Sequence, residues 1–220
     1  MSGSFKKNKY CILKKAISRD LAIFLYNYLI TKRQLLKVAK EERWISLFDD
    51  HLGTFGDKQV NNPNTYVVYG DPAFDTLLLL VQSLLEKTTN LKLLPTYSYC
   101  RFYTKGDILH RHKDRAECAF STTLNLGGDE WPIFLEPRKN IGIPGQGGAT
   151  MQSTNKGIKV TLSPGDMLVY SGEILEHWRE PLEGDQCGQV FLHFTEANNT
   201  NLLYDGRKIL GAWEKAELKF

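Results

Sequence analysis

The chain has 220 residues, with 28 Lys and Arg against 25 Asp and Glu and a formal net charge of +3. That length fits one domain, or one domain with a helical annex, and the near balance of charge gives no support to a nucleic-acid or membrane-surface partner. An apolar share of 42%, with 11% aromatic residues, is enough to bury a sizeable core and excludes a wholly disordered chain.

No apolar stretch approaches the ~20 residues that a membrane span requires. The four cysteines, Cys11, Cys100, Cys118 and Cys187, are widely spaced and form no CxxC pair. This argues against a disulfide-stapled mini-domain and against a thiolate zinc site. Lys6, Lys7, Lys14 and Lys15 precede a short apolar run, but Asp20 and Asn27 interrupt that run and no small-residue cleavage pattern follows. The expectation is a cytoplasmic protein with reduced thiols.

In chain order, Ser18 is a candidate helix cap, and Leu21, Phe24, Leu25, Tyr28 and Leu29 then recur at helical spacing. A second helical pattern follows over residues 34–44. Residues 49–70 are polar and rich in Gly, Asn and Asp, so they read as loop or irregular edge. Asp71-Pro72 supplies a cap and a first-turn proline for a helix reaching about Lys87, with Phe74, Leu77, Leu78, Val81 and Leu85 on its buried stripe.

After Pro95 the period changes to two. Tyr97, Tyr99, Arg101 and Tyr103 share one face of a strand, and Ser98, Cys100, Phe102 and Thr104 share the other. Further strands are predicted at 118–126, 132–135, 158–162, 167–170 and 190–195. The glycine-rich segment 137–157 is long enough for a functional loop. The fold class is mostly β with N-terminal helices (α+β): an antiparallel sandwich or barrel with helices packed outside it. A single domain over 1–220 is expected, with mainly helical support at 1–94, a β core at 95–196 and a C-terminal tail at 197–220.

The most informative segment is Gly106-Asp107-Ile108-Leu109-His110-Arg111-His112-Lys113-Asp114. An H-x-D pair at a strand end puts His112 and Asp114 on the same face. A Ser163-Pro164-Gly165-Asp166 turn, an apolar strand and a lone His177 follow later in the chain. In a double-stranded β-helix, or jelly roll, this order returns the third residue over the first two. Two imidazoles and one carboxylate on one face of an ion leave up to three positions open, the pattern of non-haem Fe(II) oxygenases. Taken singly, each residue also fits a plain structural role: His112 and Asp114 on a charged surface, His177 on an exposed strand.

At these residues the sequence resembles the Fe(II)- and 2-oxoglutarate-dependent dioxygenases, in their prolyl-hydroxylase-like branch. The resemblance rests on Tyr103-x-x-Gly106 leading to His112-x-Asp114, on Thr123-Leu124-Asn125, and on Ser163-Pro164-Gly165-Asp166 leading to His177, and it covers about residues 95–196. It implies Fe(II) held by His112, Asp114 and His177, with 2-oxoglutarate and O₂ as cosubstrates and ascorbate as a reductant. It also implies hydroxylation of a C–H bond in a peptidyl proline, a free amino acid or another small molecule, with release of succinate and CO₂.

The resemblance further implies that Tyr103 and Thr123 line the 2-oxoglutarate pocket. The family places an Arg or Lys about nine or ten residues after the distal His, where this chain has Gln186 and Cys187. A buried carboxylate needs a cation or several donors. Arg179 is the first candidate for that work and Arg101 the second, with Gln189 and His193 as added donors. Residues 49–70 and 137–157 are expected to form the cavity rim, with Trp131, Trp178 and Arg115 as candidate substrate contacts. Two alternatives stay open: a cupin-like metalloprotein that does not use 2-oxoglutarate, and a binding module with a vestigial site.

Overall fold

The computed structural model describes residues 2–139 and 155–212. Three helices, α1 (Ser2–Asn8), α2 (Arg19–Glu41) and α3 (Pro72–Thr89), accompany eleven strands among the described residues. The N-terminal half contributes β1 (Tyr10–Leu13), β2 (Thr54–Phe55), β3 (Tyr66–Tyr69) and β4 (Leu93–Thr104). The remainder are β5 (Leu109–His112), β6 (Phe120–Gly128), β7 (Ile133–Leu135), β8 (Ile158–Val160), β9 (Met167–Tyr170), β10 (His177–Arg179) and β11 (Gln186–Glu196). Seven of them form an antiparallel sheet in the order β1-β9-β6-β11-β4-β3-β2, and four form a second antiparallel sheet in the order β5-β10-β7-β8.

The helices start where the sequence places their caps. Ser18 Oγ accepts the Leu21 N–H at 3.1 Å, and Asp71 Oδ1 accepts from Ala73 N at 2.9 Å. The two helical patterns after Ser18 merge into one continuous helix, because neither Gly nor Pro interrupts residues 19–41. Leu29 and Leu36 of α2, and Leu78 and Leu85 of α3, are fully buried. They pack with Cys100, Phe102, Leu124, Val190 and Leu192 on the outer face of the larger sheet. Each such leucine contributes about 1.5–3 kcal/mol of burial.

Alternation then dictates the other face. Tyr99, Arg101 and Tyr103 of β4, Ser121 and Thr123 of β6, and Gln189, Phe191 and His193 of β11 turn toward the smaller sheet. Side chains from both sheets meet in two further apolar clusters, one around Tyr103, Leu109 and Phe191 and one around Ile133, Leu168 and Tyr170.

Several expectations are corrected in detail. Tyr66–Tyr69, within the stretch expected to be loop or irregular edge, is β3, a regular strand hydrogen-bonded between β2 and β4. The strand expected from Cys118 begins at Phe120, because residues 116–118 form a 3₁₀ turn. The segment called a tail includes a 3₁₀ stretch, Thr200–Gly206. It is pinned to the body by Arg207, whose Nη1 lies 2.8 Å from Asp75 Oδ2. Of the glycine-rich segment 137–157, residues 140–154 lie outside the described residues. Among the described residues, no helix is long and apolar enough to cross a membrane.

Candidate metal centre

The site begins at the turn between β4 and β5. Gly106 has φ +84°, a conformation that favours glycine, and Asp107 braces the reversal by accepting the Thr104 N–H at 2.9 Å. The chain therefore returns along the smaller sheet with His112 at the end of β5. There β10 runs antiparallel to β5 with His177 directly opposite His112. Asp114 follows just past the strand end, and its N–H donates to Gly172 O at 2.9 Å.

These placements bring the three residues together. Asp114 Oδ1 lies 3.6 Å from His112 Nε2 and 3.5 Å from His177 Nε2, and the candidate ligand atoms all fall within 4.8 Å of one another. Backbone carbonyls set the ring orientations. His112 Nδ1 is 2.7 Å from His110 O, and His177 Nδ1 is 3.0 Å from Leu175 O. When a metal ion sits between them, a proton kept on each Nδ1 leaves each Nε2 lone pair for the ion, the tautomer a metal ligand requires.

Burial, followed by the neighbouring His177, pushes the His112 pKa down to about 3. Burial opposes ionisation of Asp114, but the adjacent His177 and His112 imidazoles outweigh it and hold the carboxylate below its usual range. At neutral pH the donor set is thus a neutral imidazole at His112 and a carboxylate, with His177 beside them. Two nitrogens and one oxygen on one side of a point suit Fe(II) or a similar divalent ion.

A cavity of about 480 Å³ opens over this cluster. His112, Asp114 and His177 form its floor, with Tyr170 edge-on to His177 at 4.7 Å between ring centres. Tyr69, Tyr97, Tyr99 and Phe191 supply aromatic walls, and residues 56–59 supply part of the rim.

No known protein-family model matches the sequence, and no curated protein matches it. Solved structures do match. A prolyl-4-hydroxylase of Pseudomonas putida shares 12% identity with a TM-score of 0.56, covering 89% of this chain and 97% of that one. An oxidoreductase of the 2-oxoglutarate–Fe(II) oxygenase family from Burkholderia pseudomallei shares 10% identity with a TM-score of 0.57, covering 88% of each chain. HygX of Streptomyces hygroscopicus, solved with nickel and 2-oxoglutarate bound, shares 13% identity with a TM-score of 0.54, covering 88% of this chain and 85% of that one. The chain has the fold of the Fe(II)- and 2-oxoglutarate-dependent oxygenases.

Within this oxygenase fold, the residues expected to meet 2-oxoglutarate form a second polar cluster beside His177. Arg179, two residues along β10 and past an irregularity in its pairing with β5, is 1% exposed. Its Nη2 donates to Thr123 Oγ1 at 3.2 Å, and its Nη1 donates to the Trp131 carbonyl. Its Nε is buried without a partner, and no carboxylate pairs with it among the described residues. Thr123 Oγ1 donates to Gln189 Oε1 at 3.1 Å, and Gln189 Nε2 lies 3.1 Å from Cys187 Sγ. Cys187 pairs across strands with Tyr103. The small Cys187 side chain thus stands beside Tyr103 with the Arg179 guanidinium nearby. An uncompensated buried cation is costly, and burial pushes its pKa down. An anion brought by a ligand would relieve that cost.

Arg101 has a different engagement. Its Nε lies 2.9 Å and its Nη2 2.8 Å from Asp57 Oδ2, while Nη1 faces Tyr103 Oη at 3.4 Å. Tyr99 Oη also donates to Asp57, at 2.8 Å, so Arg101 anchors the cavity rim. Arg101 lines the cavity, whereas Tyr103, Thr123, Arg179 and Gln189 lie outside its lining. Arg115 does reach the cavity wall. The two tryptophans do not: Trp131 packs against Tyr103, and Trp178 stacks on Phe134.

Sequence reasoning missed Asp57, Ser121 and Gly172. Ser121 Oγ donates to Asp114 Oδ2 at 2.6 Å, and Gly172 leaves room for that carboxylate. No local spacing marks them, because each acts from a different element.

Proposed function

We propose that this chain is a single-domain Fe(II)- and 2-oxoglutarate-dependent dioxygenase built on a double-stranded β-helix. It hydroxylates a C–H bond of a compact substrate, a peptidyl proline or a free amino acid, and releases succinate and CO₂. The observation that carries this reading is the convergence of His112 Nε2, Asp114 Oδ1 and His177 Nε2, with both Nδ1 atoms tied to backbone carbonyls. The fold shared with a prolyl-4-hydroxylase supports the substrate class.

In this reading His112, Asp114 and His177 hold the iron through one face. The iron and 2-oxoglutarate together supply the oxidising power for O₂ activation, and ascorbate keeps the metal reduced. Arg179 receives the far carboxylate of 2-oxoglutarate through its unpartnered Nε, with Thr123 fixing the guanidinium plane and Tyr103 and Gln189 adding donors. Arg101 holds Asp57, and with it the rim, against β4. Tyr170, Tyr99 and Phe191 give the cavity aromatic walls above the ligands, which limit water around the reacting C–H bond.

The test is aerobic incubation of the iron-loaded protein with 2-oxoglutarate, ascorbate and a panel of proline peptides and free amino acids. Succinate release and gain of one oxygen atom by one panel member, both lost in His177→Ala, is the expected result. An iron-loaded protein that forms no succinate with any member, and none in the uncoupled reaction, would refute the reading.

A further inference from the structure

Behind the candidate metal ligands, β6 and β11 place two polar residues directly opposite one another, Ser121 and His193. Both are buried on the inner face of the larger sheet. Ser121 Oγ lies 2.6 Å from Asp114 Oδ2, 3.0 Å from His193 Nδ1 and 3.1 Å from the Cys118 carbonyl, the carboxylate being the nearer and charged acceptor. A serine hydroxyl has one hydrogen. At 2.6 Å from an ionised carboxylate it must point at Asp114, because two oxygens that close with no proton between them repel. Ser121 Oγ is then left to accept, so His193 Nδ1 carries a proton and donates it.

The direction of this chain divides the work between the two Asp114 oxygens. Oδ2 is capped by Ser121, while Oδ1 faces the Nε2 atoms of His112 and His177. From this geometry we infer that His193 and Ser121 are positioning residues: they hold Asp114 so that it offers a single oxygen to the metal. The inference rests on the metal reading above and extends it to two residues that touch neither metal nor cosubstrate. Groups that orient a ligating carboxylate typically change metal affinity by about 10–100-fold when removed.

The experiment is Mn(II) titration of the metal-free protein, followed by loss of the free-ion EPR signal, with Co(II) absorption as a second readout of carboxylate geometry. Ser121→Ala and His193→Leu are each expected to weaken Mn(II) binding by about 10–100-fold and to shift the Co(II) spectrum. The double variant is expected to lose no more than either single one, since both act through one hydrogen-bond chain. His193→Asn, which can still present an N–H near the position of Nδ1, is expected to recover most of the affinity. Unchanged Mn(II) affinity in folded Ser121→Ala, or additive losses in the double variant, would overturn the inference. A wild-type protein that binds no Mn(II) would instead overturn the metal reading, and this inference with it.

Discussion

Replacing Gly172 with alanine tests the site with one methyl group. A Cβ built at Gly172 would stand 2.5 Å from Ser121 Oγ and 2.8 Å from Asp114 Cγ, and nearer still to Asp114 Oδ2. Ordinary non-bonded separations are about 3.5 Å, so the carboxylate must move by about an ångström. Metal–ligand distances tolerate only about 0.2 Å. The backbone at Gly172 lies outside the positive-φ region, so the alanine imposes no backbone strain there. The displaced atoms are the end of a side chain, which can rotate without unfolding the sheet. Gly172→Ala should therefore keep its thermal midpoint as metal-free protein but bind Mn(II) at least ~10–100-fold more weakly, a loss of about 1.4–2.7 kcal/mol. Calorimetric Mn(II) titration beside a thermal melt measures both quantities. A folded variant binding Mn(II) within about threefold of wild type would refute the assignment of Asp114 as a ligand.

Three further outcomes follow from other parts of the molecule. Arg179→Gln should raise the Kd for 2-oxoglutarate of the Mn(II)-loaded protein by ~10–100-fold, the worth of one charge-assisted hydrogen-bond set, as read by calorimetry. Two of the three buried arginines, Arg207 and Arg179, should also part company in urea denaturation of the metal-free protein. Arg207→Met strands Asp75 and should cost about 3–5 kcal/mol, whereas Arg179→Met removes a cation that has no carboxylate and should cost under ~1 kcal/mol or stabilise. Burial pushes the His193 pKa down to about 4. The unfolded chain therefore takes up a proton below about pH 6.5 that the folded state refuses. Stability from this residue is complete above that pH and drains away as the pH falls toward 4. His193→Asn should flatten the fall in urea midpoint between pH 7 and pH 5, and an unchanged slope would count against a buried neutral His193.

Much of the site could be read from the sequence because its parts are local. His112-x-Asp114 lies on one short segment, and the period-two run from Tyr97 to Tyr103 assigns Arg101 and Tyr103 to the same face of β4 without coordinates. The substitution of Gln186 and Cys187 for a basic residue also pointed, through the resemblance, to Arg179, whose buried and unpartnered Nε fits that role. What was hidden depends on pairing. Ser121 and His193 meet only because β6 and β11 align in one register, and the two residues are 72 positions apart. Asp57 meets Arg101 through a rim segment whose path no periodicity signals. Tyr66–Tyr69 reads as loop or irregular edge in the sequence because polar residues and glycine surround it. Its buried residues Tyr66, Val67 and Val68 give a continuous apolar run in place of alternation. The helix pattern from 19 to 41 was legible in kind, but its division in two had no breaker residue behind it.

The most direct measurement is a crystal structure of the Mn(II) form soaked with 2-oxoglutarate under anaerobic conditions. The expected result is one ion bonded to His112 Nε2, Asp114 Oδ1 and His177 Nε2, with the far carboxylate of 2-oxoglutarate on Arg179. An ion held instead among Asp114, Cys118 and His193, the other such cluster among the described residues, would contradict it. So would a 2-oxoglutarate whose far carboxylate leaves Arg179 untouched.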